Sequence, residues 1–492
     1  MAKNHSNGTT FGFEEKLWRS AEKLRSDLDA SEYRTVVLGL IFLKYISDRS
    51  SENRGNLQKT LLIPQAARWD YIKKLVQQKK LEIGKNIDFA METIEQKNPS
   101  LKGILPKIYS KDSLDRERLS ELIELIESIG LVEEEVKNVD ILGRVFEYFL
   151  GQFALSEGRK GGQFYTPPSI VRLLVEMIKP YKGKVFDPCC GSGGMFIQSE
   201  KFIESQGGKT ADILIYGQES NRTTWALCKM NLAIHGINGN IMWGDSFSND
   251  LHKNQKFDFV LANPPFNVKD WKGDTLTQDY RWIYGIPPFR NANFAWVQHF
   301  IHHLDEKGIA GFILTNGSLS STMSNEGNIR KNIVEAGLVD CIVTLPDKLF
   351  YNTGIPACLW IIKRNTKNRD GKHEVLFIDA RRLGVLVDRM HKQLSENDIQ
   401  VISKTYINWK TETGEYLDIL GFCKSSTIDQ IRNHNYILTP ARYVGVAETE
   451  DKNGSFKAKM DWLTSEIAEQ FKESEKFKEK IQENLSDLGF EL

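Results

Sequence analysis

Hydrophobic positions along the chain follow two rhythms, and the change between them falls near residue 153. Before it the spacing is helical. Trp18, Ala21, Leu24 and Leu28 recur at three- and four-residue intervals, and Val36, Val37, Leu40, Ile41 and Ile46 form a second stripe behind an N-cap predicted at Ser31. Leu119, Leu122, Ile123 and Ile126 make a third stripe inside a Glu-rich stretch. Such stripes are core-facing sides of amphipathic helices, so residues 1–153 are predicted to be a helical domain with solvated charges outside.

From about residue 160 short apolar runs take over: KVFDP, DILIYGQE, NIMWGD, FDFVLANPP, GIAGFILTN, VDCIVTLP and IPACLWIIKR. Amphipathic segments such as NRTTWALCKMNLAIHGI and NANFAWVQHFIHHLD separate several of them. Strand–helix alternation predicts an α/β domain over 154–442, a largely parallel sheet with helices on both faces. Ligands of such sheets lie outside the carboxyl ends of the strands, where the strand order reverses. The tail, 443–492, is charged with a helical seam of Leu463, Ile467, Phe471, Phe477, Ile481, Leu485 and Leu488, broken near Ser474, which suits a helix packing on its own domain or on a partner.

Composition sharpens this outline. A chain of 492 residues exceeds what one core usually supports, so several domains are expected. No run of eighteen apolar residues exists, and MAKNHSNGTTFGFEEK lacks the apolar stretch of a secretory leader, so neither a membrane span nor a leader is expected. The cysteines (189, 190, 228, 341, 358, 423) form no CxxC pair and have no histidine at ligand spacing, the usage of a reduced cytosolic protein with no metal site. Lys plus Arg number 65 against 65 Asp plus Glu. Autonomous DNA-binding domains usually carry a basic excess, so a DNA enzyme with this balance would share the DNA grip with a partner.

The chemistry sits at the strand ends. Asp187-Pro-Cys-Cys190-Gly191-Ser192-Gly193-Gly194 follows KVF. Its glycines permit a tight turn and let a ligand touch bare backbone, and the next helix presents its N-terminus; the dinucleotide pattern GxGxxG is absent. Glu219 ends the second strand, 32 residues after Asp187, where a carboxylate accepts from ribose hydroxyls. Asp245 ends the third, either as an acceptor for an adenine amine or simply as a turn aspartate.

Asn263-Pro264-Pro265-Phe266 ends the fourth and is more specific. Two prolines remove two donors and stiffen the chain, so the Asn263 amide oxygen and the Pro264 carbonyl can both accept from one amino group while Phe266 offers a flat apolar face. An exocyclic adenine amine is a poor nucleophile because its lone pair is delocalised; two acceptors favour a pyramidal nitrogen that can attack an activated methyl group. No strong base is then required.

With these segments in view the sequence resembles the modification (M) subunits of type I restriction–modification systems, gamma-type DNA adenine N6-methyltransferases. The resemblance spans nearly the whole chain and rests most on Gly162-Gln-Phe-Tyr-Thr-Pro167 ahead of the Gly-rich loop, on the order GQFYTP, DPCCGSGG, QE, GDS, NPPF, and on LWRSAEKLRSDLDASEYRTVVLGLIFLKYISDR and LGRVFEYFLGQFA in the helical part. It implies a class I S-adenosylmethionine-dependent fold, Rossmann-like with a seven-stranded, mostly parallel sheet. It implies that Gln163, Phe164, Tyr165, Thr166, Pro167 and Pro168 line the methionine end of S-adenosyl-L-methionine, with Asp187, Cys190 to Gly194, Glu219 and Asp245 completing the cofactor site. Phe350, beside Tyr351, falls where the family places a second aromatic against a flipped base. The paired cysteine of DPCCGSGG departs from the family's usual small residue but is itself small. The resemblance further implies a prokaryotic cytoplasmic complex with DNA, a specificity (S) subunit holding two M subunits, and a restriction (R) subunit. No segment looks like a target-recognition domain; the helical domain would close over DNA and the tail would dock on the S subunit. The rivals are a protein-glutamine or RNA methyltransferase, a non-catalytic methyltransferase-like scaffold and, least suited to the loop pattern, a nicotinamide oxidoreductase.

Overall fold

Two halves of different construction make up the first 444 residues, which form one compact unit, and Gly445–Leu492 form another. The computed structural model describes residues 11–25, 28–52, 61–80, 82–131, 138–156, 165–208, 212–350, 355–364, 373–388, 391–411 and 414–446, with scattered helical positions between 460 and 482. In that last unit Ile467 and Phe471 are exposed, while Leu463, Phe477, Ile481, Leu485 and Leu488 lie outside the described residues.

The helical half contains α1 (Phe11–Lys23), α2 (Ala30–Glu52), α3 (Trp69–Gln77), α4 (Ile83–Lys97), α5 (Arg116–Glu127) and α6 (Asn138–Ser156). The stripe of α5 is buried as its spacing predicts, through Leu119, Leu122, Ile123 and Ile126. Two expectations need correction. Leu24 and Leu28 lie beyond the last residue of α1, and the cap of α2 is Asp29, whose carboxylate accepts from the Ser31 N–H at 2.9 Å and the Ser31 hydroxyl at 2.6 Å. Asp and Ser cap about equally well, so local propensity cannot choose between two cappers two residues apart.

The α/β half runs α7 (Pro168–Ile178), β1 (Gly183–Asp187), α8 (Gly194–Ser205), β2 (Ile213–Glu219), α9 (Arg222–Ile234), β3 (Gly239–Trp243), β4 (Phe257–Ala262), α10 (Asn293–His303), β5 (Leu304–Thr315), α11 (Glu326–Glu335), β6 (Val339–Thr344), β7 (Ala357–Lys363), β8 (Glu374–Asp379), β9 (Val385–Leu386), β10 (Lys392–Gln393), α12 (Glu396–Lys410), β11 (Cys423–Thr427) and α13 (Ile428–Asn433). The main sheet has the order β11-β8-β6-β7-β5-β4-β1-β2-β3. All seven strands expected from the apolar runs are present, parallel from β3 through β5 with β7 antiparallel between β5 and β6, and β8 and β11 extend the far edge. β6 is buried along its whole length, which is why it reads as an unbroken apolar run apart from Asp340. That carboxylate is paired inside the core by Lys410 Nζ at 2.7 Å and Tyr406 Oη at 2.6 Å.

One core lies on each face of the sheet, and α9 joins the sheet to the helical half. Its Cys228 and Leu232 pack toward the sheet, while Leu227, Met230 and Ile234 belong to the core of α1 to α6. The chain winds from β1 out to β3 and returns to place β4 on the other side of β1. The order therefore reverses between β1 and β4, and it is at the carboxyl ends of such strands that ligands of this fold class bind. Among the described residues no helix is long and apolar enough to cross a membrane.

Candidate active site

The turn after β1 is a closed hydrogen-bonded object. Gly191 and Gly193 take positive φ, 52° and 83°, the latter where a Cβ would come within 2.9 Å of Cys228 Sγ. Glycine is required at 193 on both counts. Gly193 N–H donates to the Cys190 carbonyl at 2.8 Å, Cys190 N–H to the Gln218 carbonyl at 3.1 Å, and Asn231 Nδ2 to the Ser192 carbonyl at 2.9 Å. Cys190 is buried with Cys228, the two sulfurs 3.9 Å apart, so it serves as a small packing residue. Gly194 begins α8, and a Cβ there would meet nothing. Asp187 is buried beneath the turn and accepts from the Cys189 N–H at 3.0 Å; burial outweighs that bond and pushes its carboxyl up to about 7.

Glu219, at the end of β2, organises the same turn. Its Oε2 accepts from Gly191 N–H at 3.0 Å and its Oε1 from Asn221 N–H at 2.8 Å. Burial raises its pKa against the pull of those bonds. Oε1 also accepts from the Ser220 hydroxyl at 3.4 Å, while Oε2 keeps a second acceptor position, so the group can still accept from a hydroxyl donor such as that of a ribose. Asp245, past β3, uses Oδ1 to close its own turn, accepting from Phe247 N–H at 3.1 Å, Ser248 N–H at 2.7 Å and the Ser248 hydroxyl at 2.8 Å. The plain turn role expected of an aspartate here is real, and a ligand role rests on the rest of its carboxylate.

The segment after β4 is built differently. Asn263 Nδ2 donates to Thr166 Oγ1 at 2.9 Å, while Asn263 Oδ1 is enclosed and has no hydrogen-bond partner among the described residues. An enclosed acceptor without a partner costs stability, about 1–3 kcal/mol, unless an incoming group uses it. Pro264 is buried, and Pro265 and Phe266 are half-buried. Phe266 and Phe350 meet edge to face, centroids 5.6 Å apart at 76°. Asn267 and Asn293 clasp the far side reciprocally, N–H to Oδ1 at 3.0 Å and Nδ2 to Oδ1 at 2.8 Å.

The structure thus places at the carboxyl ends of β1 to β4 the Gly-rich turn, Glu219, Asp245 and Asn263 to Phe266, with Thr166 against Asn263 and Phe350 against Phe266. Tyr165 packs on α6, its hydroxyl 3.1 Å from where a Cβ on Gly151 would lie. Pro167 and Pro168 start α7, the former buried and the latter exposed. Gln163, Phe164 and Tyr351 lie outside the described residues. Sequence reasoning missed the residues that set the geometry: Asn221 and Gln218 around Glu219, Asn293 beside Asn267, and Asn316 just past β5, whose Oδ1 is also enclosed and unpartnered. A polar residue at the end of an apolar run, as in FILTN, was the available signal for the last. The assembled groups are hydrogen-bond acceptors and aromatic faces, a set that holds and orients an amine.

Comparison with known proteins adds the lineage. The family described as N-6 DNA Methylase matches residues 137–452, and the HsdM N-terminal domain matches 13–126. The chain is 46% identical over 418 residues to the type I restriction enzyme HindI methylase subunit of Haemophilus influenzae, covering 83% of this chain and 93% of the relative. It is 38% identical to the MjaIX methylase subunit of Methanocaldococcus jannaschii, covering 97% and 92%. The type I restriction-modification system methyltransferase subunit from Streptococcus thermophilus shares the fold, with a TM-score of 0.74 at 24% identity over 88% of this chain and 99% of that one.

Proposed function

The chain belongs to the type I restriction enzyme methylase subunits, and from that premise we propose that it methylates the exocyclic N6 of adenine in DNA, using S-adenosyl-L-methionine on a base rotated out of the duplex. The observation that carries this reading is Asn263 Oδ1, an enclosed acceptor with no partner beside the Phe266–Phe350 pair. In the proposed step Oδ1 and the Pro264 carbonyl accept the two amine hydrogens, which draws the nitrogen toward a pyramidal geometry and frees its lone pair. The Phe266–Phe350 pair, packed edge to face, offers the base an aromatic surface and offsets part of the few kcal/mol that unstacking costs.

The cofactor fits the turn after β1 and the carboxylates of Glu219 and Asp245, with Asp187, Cys190 to Gly194 and the segment 163–168 completing its surroundings. Held there, it supplies a sulfonium methyl that is already activated, so placement provides most of the catalysis. With Asn263 Nδ2 bonded to Thr166 Oγ1, the amide oxygen is the atom left to meet the base.

The equal count of 65 basic and 65 acidic residues supports a shared grip on DNA. In this reading residues 1–153 close over the duplex, 154–442 carry the chemistry, and 443–492 dock on a specificity subunit that holds two such chains, with a restriction subunit joining in the nuclease complex. The test is transfer of labelled methyl groups by the chain assembled with its specificity subunit, offered genomic DNA or a ribosomal extract. Label is expected in DNA adenine; label only in protein or RNA sinks the proposal. The Asn263→Ala variant should retain cofactor while transfer falls by about 10²–10³-fold, the scale seen for removal of one preorganised polar group. Unchanged transfer would refute its role.

A further inference from the structure

Behind the β4 loop, Asp250, His299 and His303 bring ligand-type atoms within 4.8 Å of one another. Two imidazoles and a carboxylate are the residue chemistry of a zinc site. The hydrogen bonds assign a different occupant. His303 has both ring nitrogens engaged, Nδ1 with the Gln255 carbonyl at 3.1 Å and Nε2 with Asp250 Oδ2 at 2.9 Å. His299 Nδ1 accepts from Arg281 Nη1 at 2.9 Å, which leaves its hydrogen on Nε2, and burial holds that ring neutral. Three of the four ring nitrogens are therefore engaged by the protein itself. The cation at this place is Arg281, 2% exposed and 3.9 Å from Asp250.

A guanidinium has five N–H donors, and every one of these is used. Nε and Nη2 grip Asp279 at 2.8 and 2.6 Å. Nη1 donates to the Ser246 carbonyl at 2.9 Å as well as to His299, and Nη2 to the Phe247 carbonyl at 2.6 Å. Those two carbonyls are consecutive and lie in the turn that Asp245 closes. Ser246 passes the constraint on, its hydroxyl donating to the Pro188 carbonyl of the Gly-rich turn at 2.5 Å. Phe247 is wedged against Trp271 and Trp296, with centroids at 5.1 and 4.3 Å. Arg281, Trp271 and Asp279 all belong to the excursion of chain that starts directly after Phe266 and ends at α10.

We propose that Arg281 is a positioning residue for the cofactor site, through which the loop that follows the base-binding segment holds the Asp245 turn and the Gly-rich turn in binding geometry. This rests on the assignment of Asp245 to the cofactor made above. A lysine has three donors and no fork, so it cannot hold both carbonyls and Asp279.

The test is calorimetric binding of S-adenosylhomocysteine to the full chain carrying Arg281→Gln, Asp245→Ala or both, each below its own unfolding temperature. Arg281→Gln and Asp245→Ala are each expected to weaken binding by about tenfold, and the double variant by little more than either, because residues that act through one element are coupled. Arg281→Lys is expected to weaken binding in the same direction and is the variant read if Arg281→Gln does not fold. Binding by the folded Arg281 variants within about twofold of wild type would overturn the inference, as would an unaffected Asp245→Ala or losses that multiply in the double variant. A purely structural arginine would lower the melting temperature and leave the affinity alone. A wild-type chain that does not bind the nucleoside overturns the proposed function and this inference with it, an outcome distinct from a failure confined to the variants.

Discussion

The turns that leave the neighbouring strands β1 and β4 treat their polar groups in opposite ways. After β1, the backbone of Cys190, Gly191 and Gly193 is bonded to Gln218, Glu219 and the turn itself. After β4, Asn263 is oriented through its nitrogen while its oxygen is enclosed without a partner, and Phe266 is only half-buried against Phe350. One turn is finished without a ligand; the other is finished only when an amine arrives. The difference suits the two roles proposed above for these turns. A resident cofactor is served by a rigid receptor, whereas a base that enters and leaves needs acceptors held ready for it, and an oriented, unsatisfied acceptor stores that readiness at a cost in stability.

Glu219→Ala tests the comparison most severely. Gly191 N–H and Asn221 N–H lose their acceptor, and cofactor affinity should fall about 10–100-fold, the worth of one or two charge-assisted bonds, while transfer at saturating cofactor largely recovers. A fall in the saturated rate as deep as that of Asn263→Ala would break the division of labour between the two turns. Gly193→Ala comes next: its φ of 83° and the Cys228 sulfur 2.9 Å from the new Cβ should cost about 1–3 kcal/mol in denaturant unfolding, whereas Gly194→Ala, which meets nothing, should be near neutral. Equal effects at the two glycines would show that the turn is not conformationally demanding.

A pH-dependent effect concerns Asp187. Its native pKa of about 7 lies above the roughly 3.9 of an unfolded aspartate. The stability tied to its proton is therefore fully present below about pH 4 and lost as pH rises through about 7. Asp187→Asn lacks that slope, so its stability relative to wild type should improve between pH 5 and pH 8. Parallel pH profiles in denaturant unfolding would rule this out.

Much of the fold was legible because burial on both faces makes a strand an unbroken apolar run, as in VDCIVT and ACLWIIK. EVLFID is a run of the same kind, yet it follows the last motif and was left outside the alternation; it became β8. The segment Asn263 to Phe266 stands out in the sequence because double proline and aromatic are rare together. Phe350 was reached through family resemblance, not through spacing, and it lies 5.6 Å from Phe266 across 84 residues of chain. The hydrogen bond from Asn263 to Thr166 joins two segments 97 residues apart, which no spacing rule announces. Arg281, in YRWIYG, looks like an ordinary loop residue.

By itself the sequence determined where strands and helices form, which strand ends carry glycine, carboxylate or the Asn-Pro-Pro-aromatic set, and which family these belong to. These depend on neighbours a few residues apart, where periodicity and backbone chemistry act. Tertiary structure alone decided that Asn263 Nδ2 bonds to Thr166, that Glu219 braces the Gly-rich turn, and that Arg281 ties the Asp245 turn to Asp279 and His299. Each of those outcomes is a hydrogen bond or an ion contact between residues 28 to 97 positions apart or, for Arg281, between separate loops. Such contacts exist only once the sheet has set the strand ends side by side, so no local rule of propensity or spacing can announce them.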